Sequence, residues 1–164
     1  MKRILILDRD GVINRAPIPP RRYILKLDEL KINEEIIQFI VRSQKSGWIT
    51  CVATNQQAVG KGLISENQIN LIHKQINLRI TEVGGSEIEF FVCSHLKQMR
   101  CSCRKPMPGL LLQAINKFSE SSDARKIIFI GDQETDRKAA DSAGVQFLKY
   151  SKNLTINELL HKLE

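Results

Sequence analysis

Aromatic side chains are scarce in this chain: one Trp, two Tyr and six Phe make up only 5% of residues. That is thin material for a platform on which nucleic-acid bases could stack. No apolar run approaches the roughly 20 residues of a membrane-spanning helix. The ILIL stretch behind the basic start, residues 4–7, is too short for a secretory-signal core. Internal repeats, low-complexity tracts and linker-like segments are also missing, so residues 1–164 read as one domain. Acidic residues are outnumbered 18 to 25, which leaves a formal charge of +7. Such a surface attracts nucleic acid, anionic membranes or small phosphorylated molecules, although a solvated lysine-rich face has the same balance. The expectation is a cytoplasmic, monomeric protein whose partner is a small phosphorylated molecule rather than nucleic acid or a membrane.

What is present is an alternation of short apolar runs and amphipathic segments. Strands are expected over residues 2–7, 48–54, 88–94, 126–132 and 145–150. Helices are expected over 33–46, 66–83, from Pro108 to 118, over 135–142, and after Thr155. Ser65 with Gln68 and Thr155 with Glu158 have the spacing of capping boxes. Three prolines within 17–20 force an irregular segment over 14–23, and residues 54–62 read as a glycine-punctuated loop. Continuously apolar strands alternating with helices predict an α/β fold. The expected form is a Rossmann-like three-layer α/β/α sandwich with a mainly parallel sheet.

In such folds ligands sit beyond the carboxyl ends of the strands. Those ends carry polar groups in turn: Asp8-Arg9-Asp10, Thr54-Asn55-Gln56, Arg104-Lys105, and Asp132 with Asp136 one helical turn on. The set suits phosphoryl transfer. Asp8 can attack phosphorus to form an aspartyl-phosphate. Asp10 can protonate the leaving alkoxide and later deprotonate a water. A divalent cation beside Asp8, with Asp132 as partner ligand, would keep Asp8 charged, and Mg²⁺ suits an all-oxygen site. Thr54 and Lys105 can hold the phosphate oxygens, with Asn55 beside them.

The second dense signal is VCSHLKQMRCSCRKP, residues 92–106, which holds three of the four cysteines. Cys93, His95, Cys101 and Cys103 form a donor set that closes a tetrahedral zinc site, leaving no position for water. The zinc loop, about 93–103, would position Arg104 and Lys105. Cys51, Trp48 and Phe90 read as core, and His73 and His161 as surface groups.

ILDRDGVIN, ATNQ, CRKP and GDQETD, in that order, resemble the four motifs of the haloacid dehalogenase superfamily of phosphohydrolases. The resemblance implies Asp8 as nucleophile and Asp10 as acid/base. It implies Mg²⁺ held by Asp8, the backbone carbonyl of Asp10, and Asp132. Thr54 and Lys105 take the phosphate, and Asp136 stands behind these ligands. No insertion is long enough for a mobile cap, so a capless member is expected. The cysteine loop resembles two groups in that superfamily, the D-glycero-D-manno-heptose 1,7-bisphosphate phosphatases and the histidinol-phosphate phosphatases. DRDGVIN and RKPMPGLL are more similar to the former, implying removal of the C7 phosphate. Arg104 and Lys61 then become candidates for a distal phosphate, as do Arg21 and Arg22. The rival expectations are histidinol-phosphate hydrolysis, a nucleic-acid 3′-phosphatase, and a non-catalytic zinc-loop module that binds nucleic acid.

Overall fold

A computed structural model describes residues 2–20, 22–119 and 126–163. Strands β1 (Arg3–Leu7), β2 (Trp48–Asn55), β3 (Glu89–Cys93), β4 (Lys126–Gly131) and β5 (Gln146–Lys149) form one parallel sheet in the order β3-β2-β1-β4-β5. Between them run helices α1 (Glu34–Lys45), α2 (Gln57–Gly60), α3 (Glu66–Glu82), α4 (Gly109–Phe118) and α5 (Glu134–Ala143), and α6 (Ile156–His161) follows β5.

The continuous apolar strands have a simple cause, since both faces of the sheet are covered. Along β1, Leu5 and Leu7 join the core that Ile36, Ile37, Ile40, Ile76, Ile80 and Leu159 build from α1, α3 and α6. Ile4 and Ile6 point the opposite way, into Leu110, Leu111, Ala114, Ala139 and Ala140 from α4 and α5. Each fully buried Leu or Ile contributes about 1.5–3 kcal/mol, so β1, like β2 and β4, anchors both layers. The three-layer α/β/α architecture is the one expected. A small third core of Ile24, Ala58, Ile64, Ile69 and Ile72 secures the segment around Tyr23 and Leu25 against α2 and α3.

Both capping boxes form. The Ser65 side chain accepts from Gln68 N, and that of Thr155 from Glu158 N. Residues 54–62 differ from expectation: after Asn55 the chain makes one helical turn, α2, before Gly62 reverses it at φ +68°. Ala58, packed into the third core, gives that turn a reason to form. Among the described residues, the 14–33 connection carries only a one-turn 3₁₀ helix, Leu27–Glu29, and isolated bridges. No helix among the described residues is long and apolar enough to cross a membrane.

The chain runs outward from β1 to β2 and β3, then crosses back to β4 on the other side of β1. β1 and β4 therefore flank the point where the winding reverses, and a crevice opens there beyond the strand ends. Leu7 is in register with Ile130 and Val52. Asp8, the residue after β1, emerges into that crevice.

Candidate active site

Three carboxylates and one lysine meet at the crevice. Lys105 is buried, and its three ammonium protons have three partners: Asp8 Oδ1 at 2.7 Å, Asp136 Oδ1 at 2.7 Å and the Ala53 carbonyl at 2.9 Å. Its backbone is gripped as well. The Asn55 amide donates to Lys105 O and accepts from Lys105 N, each at 3.0 Å. Asp136 also accepts from Gln133 N through Oδ2, so both of its oxygens are engaged. Gly131 is required here, because a Cβ would collide with the Asp136 carboxylate.

Carboxylate oxygens of Asp8, Asp132 and Asp136 lie within 4.8 Å of one another. Three acids against one ammonium leave a surplus of negative charge in a mostly buried place. Burial pushes the Asp8 carboxyl up to about 7. The Lys105 ammonium opposes that rise, and the Asp136 and Asp10 charges add to it. Burial would lower the Lys105 ammonium, but Asp8 and Asp136 outweigh it and hold it above its ordinary value. Burial and the Asp136 charge likewise raise Asp132. Asp132 Oδ2 accepts from Gln133 at 2.8 Å, but its buried Oδ1 has no hydrogen-bond partner. At φ +94°, Gly11 lets the backbone pass where any side chain would strike Asp132. An orphaned carboxylate oxygen, surplus negative charge and an all-oxygen donor set fit a hard divalent cation.

Asp10 is held differently. Its Oδ1 accepts from Arg9 Nε at 3.2 Å, Arg9 Nη2 at 3.0 Å and Asn14 Nδ2 at 2.9 Å. Its Oδ2 accepts from Arg9 Nη2 at 3.1 Å and Gln56 Nε2 at 2.9 Å. Burial alone would raise its pKa, but the Arg9 charge and these donors keep it below the usual carboxylate range. Gln56 also donates to the buried Thr54 hydroxyl at 2.9 Å, tying the end of β2 to the turn after β1. The two acids are thus pushed apart, Asp8 upward and Asp10 downward.

The cysteine loop folds onto the end of β3. Cys93 is its last residue, a one-turn 3₁₀ helix spans Lys97–Met99, and Arg100 reverses the chain at φ +48°. Cys103 Sγ then lies 3.2 Å from Cys93 Sγ, 3.5 Å from Cys101 Sγ and 3.1 Å from His95 Nδ1. Cys93 and Cys101 are 3.7 Å apart. A tetrahedral ion with thiolates at about 2.3 Å needs sulfur separations of about 3.8 Å, so the four donors can close around one metal ion. Burial opposes ionisation of Cys101, but the Arg104 N–H and the neighbouring thiols bring its thiol down to about 7. Burial and the other two sulfurs push Cys103 up to about 12. Without a cation the three cannot all ionise. Cys51 is buried and free, and burial raises its thiol further.

A family model described as polynucleotide kinase 3 phosphatase matches residues 26–157. The chain belongs to this family, a branch of the haloacid dehalogenase superfamily. D-glycero-beta-D-manno-heptose-1,7-bisphosphate 7-phosphatase of Pseudomonas aeruginosa is 34% identical over 145 residues, 88% of this chain and 79% of that protein. Histidine biosynthesis bifunctional protein HisB of Legionella pneumophila (strain Lens) is 33% identical over 155 residues, 94% of this chain. The chain spans only 43% of that relative's length. The crystal structure of D,D-heptose 1,7-bisphosphate phosphatase from B. bronchiseptica, complexed with magnesium and phosphate, has a TM-score of 0.80 and 31% identity. It covers 90% of this chain and 79% of its own.

For this haloacid dehalogenase domain, the residues named from sequence fall into three groups. Asp8, Thr54, Asn55, Lys105, Asp132 and Asp136 converge on the crevice, and Asp10 is linked to them through Gln56. Cys93, His95, Cys101 and Cys103 form the second cluster. Arg104 and Lys61 stand at the margin. Arg104 Nη2 donates to Gln57 Oε1 at 3.3 Å, while its buried Nη1 has no partner. Lys61 is exposed, with its ammonium 3.0 Å from the Tyr23 hydroxyl. Arg22 is exposed, and Arg21 lies outside the described residues.

Sequence reasoning assigned no role to Arg9, Asn14 or Gln56, the donors that hold Asp10, and it placed His73 on the surface. His73 is in fact 6% exposed, stacked on Phe90 with ring centroids 4.0 Å apart, and its Nε2 meets Arg9 Nη1 at 3.2 Å. Phe90 itself is only partly buried. The signal for His73 was available. With Ile69, Ile72, Ile76 and Ile80 it completes the 3–4 spacing of one helical stripe. Burial, with the Arg9 charge adding to it, lowers the His73 imidazole from 6.5 to about 3. A basic group with a depressed folded value contributes stability that is complete above about pH 6.5 and is lost as pH falls toward 3. Urea unfolding across that window should show a falling stability in the native protein and a flatter profile in His73→Gln. Identical slopes would refute the assignment of His73 as a buried neutral imidazole.

Proposed function

We propose that this chain is a Mg²⁺-dependent phosphatase that removes the C7 phosphate of D-glycero-D-manno-heptose 1,7-bisphosphate. The observation that carries the chemistry is the cluster at the winding reversal, where Asp8 lies against Lys105 with the orphaned oxygen of Asp132 beside it. A carboxylate oxygen of Asp8 attacks phosphorus and the bond to the sugar oxygen breaks. Asp10 gives that oxygen its proton, so the sugar leaves as an alcohol. Asp10, now a carboxylate, takes a proton from the water that attacks the aspartyl-phosphate. Phosphate departs, and Asp8 is a carboxylate again. An incoming phosphate dianion raises Asp10 from its depressed value, which supplies the proton for the first half. Lys105 and Thr54 donate to the phosphoryl oxygens as charge develops on them. Asp8, Asp132 and the Asp10 carbonyl would hold Mg²⁺. When bound, it supplies charge neutralisation at the phosphoryl group.

The substrate reading rests on the relatives named heptose bisphosphate phosphatases, which this chain matches over most of their length. It also has a physical basis. An open site cannot enclose a small substrate, so its selectivity has to come from the rim. Arg104 stands half-buried at that margin with one guanidinium nitrogen unpaired; Nη1 is shielded from solvent, so taking a second phosphate requires the side chain to turn outward. Zn²⁺ in the cysteine cluster plays a structural part, holding Arg104 and Lys105 in place. Thiol ligands stay reduced in the cytoplasm, which suits a cytoplasmic enzyme.

The test is a comparison of kcat/KM for heptose 1,7-bisphosphate, histidinol phosphate and a 3′-phosphorylated oligonucleotide. The bisphosphate should be best. Arg104→Ala should cost it about 10–100-fold, the equivalent of the ~1.5–3 kcal/mol of a charged hydrogen bond, while a simple monoester is spared. The relative HisB keeps histidinol phosphate as the specific rival. A higher kcat/KM for histidinol phosphate, with Arg104→Ala lowering both substrates equally, would overturn the heptose reading.

A further inference from the structure

Arg9 is the largest fully buried side chain among the described residues, and the reaction as written gives it no part. It lies between Asp8 and Asp10 in the chain, yet it is wholly shielded from solvent and does not face an incoming substrate. Its guanidinium divides its contacts. Nε and Nη2 hold the Asp10 carboxylate, and Nη1 reaches His73 Nε2 at 3.2 Å. A guanidinium has only donors. His73 Nε2 is therefore the acceptor, and the imidazole proton is on Nδ1. The depressed pKa of His73 agrees with a neutral ring. The ring is itself fixed by its stack on Phe90, with an interplanar angle of 8°.

We propose that His73 is a positioning residue for the proton-transfer step, acting through Arg9 on Asp10. The planar fork of Arg9 grips Asp10 along one edge while Asn14 and Gln56 each hold one of its oxygens, and the fork keeps its plane when its far nitrogen is also held. His73 supplies that hold, so the Asp10 carboxyl keeps one orientation toward the leaving oxygen. The inference rests on the reading of Asp10 as acid/base.

The test separates proton delivery from general loss of structure by changing the leaving group. A sugar alkoxide must be protonated as it leaves, whereas p-nitrophenolate leaves without a proton. Correctly placed general acids contribute about 10²–10⁴-fold. His73→Phe keeps an aromatic ring on Phe90 but removes the acceptor. It should lower kcat/KM on a sugar phosphate, which reports only the half-reaction ending with departure of the leaving group, about tenfold or more, with a much smaller effect on kcat/KM for p-nitrophenyl phosphate. His73→Gln, whose Oε1 can accept from Arg9, should recover most of that loss. Equal effects of His73→Phe on kcat/KM for both substrates, or none on either, overturn the proposal. If His73→Phe does not fold, Arg9→Lys carries the same test. A single ammonium cannot fork between Asp10 and His73, so the same selective loss is expected and its absence overturns the proposal. Asp10→Asn on the same pair of substrates separates the failures. A leaving-group-selective loss there without one in His73→Phe removes only the positioning role. No selectivity in kcat/KM of Asp10→Asn removes the general-acid reading and the positioning role with it.

Discussion

Asp8→Asn should abolish phosphate release and leave the fold intact. An amide cannot form the acyl phosphate, and loss of a nucleophile that works as part of a catalytic unit costs on the order of 10⁴-fold or more in kcat. The fold should survive because the change is nearly isosteric and Lys105 keeps two of its three partners, Asp136 and the Ala53 carbonyl. Burial already makes the Asp8 charge unfavourable in the metal-free protein, pushing its carboxyl up to about 7. An acid whose folded value is raised costs stability as pH climbs from its unfolded value near 4 through 7. The metal-free variant should therefore melt no lower than the native chain at pH 8, and higher if the Asp8 charge dominates. Phosphate release from a sugar phosphate and thermal melting with and without Mg²⁺ check both halves. Near-normal release by Asp8→Asn would mean that the covalent intermediate has to be abandoned.

Removing the zinc proposed for the cysteine cluster should be the most damaging change outside the crevice. Metal analysis should find about one zinc per chain. The loop that holds the cluster buries little apolar surface of its own, since Lys97–Arg100 are exposed. Bound zinc can supply on the order of 10 kcal/mol toward ordering such a segment. Cys101→Ser, or a strong chelator, should expose residues 93–105 to proteolysis and lower kcat. The loss travels by a short route. Cys103 is followed directly by Arg104 and Lys105, and the Cys93 carbonyl accepts from Gln56 N at 2.7 Å, the residue that holds Asp10. Asn55 grips the Lys105 backbone from the other side, so some activity should survive. A metal-free protein with a protease-resistant loop and full activity would rule out a structural zinc.

Much of the fold is legible along the chain because its signals are local. The apolar runs of β1, β2 and β4 have no polar alternation, since both faces of a covered parallel sheet are dry. The ends of α3 and α6 are marked by side chains within one turn of the ends themselves. Asp8, Thr54 and Asp132 follow or close strands, so a parallel sheet puts them at one rim whatever the strand order. The cysteine set is legible for a similar reason, because its four donors sit within one loop.

Other features depend on partners remote in sequence. Strand order, and with it the meeting of β1 and β4 at the winding reversal, is set by how helices distribute between the two faces of the sheet. The contact of Lys105 with Asp8 spans 97 residues, and that of Arg9 with His73 spans 64. No local pattern encodes either. The sequence by itself determined the layered α/β class, the acids at the strand ends and the closed donor set of the cysteine loop, because each follows from periodicity or spacing over a few residues. Only the tertiary structure decided that Arg9 is buried, that it meets His73, and that the two acids flanking Arg9 are pushed in opposite directions. Those outcomes depend on desolvation and on which distant charges the packing brings within reach.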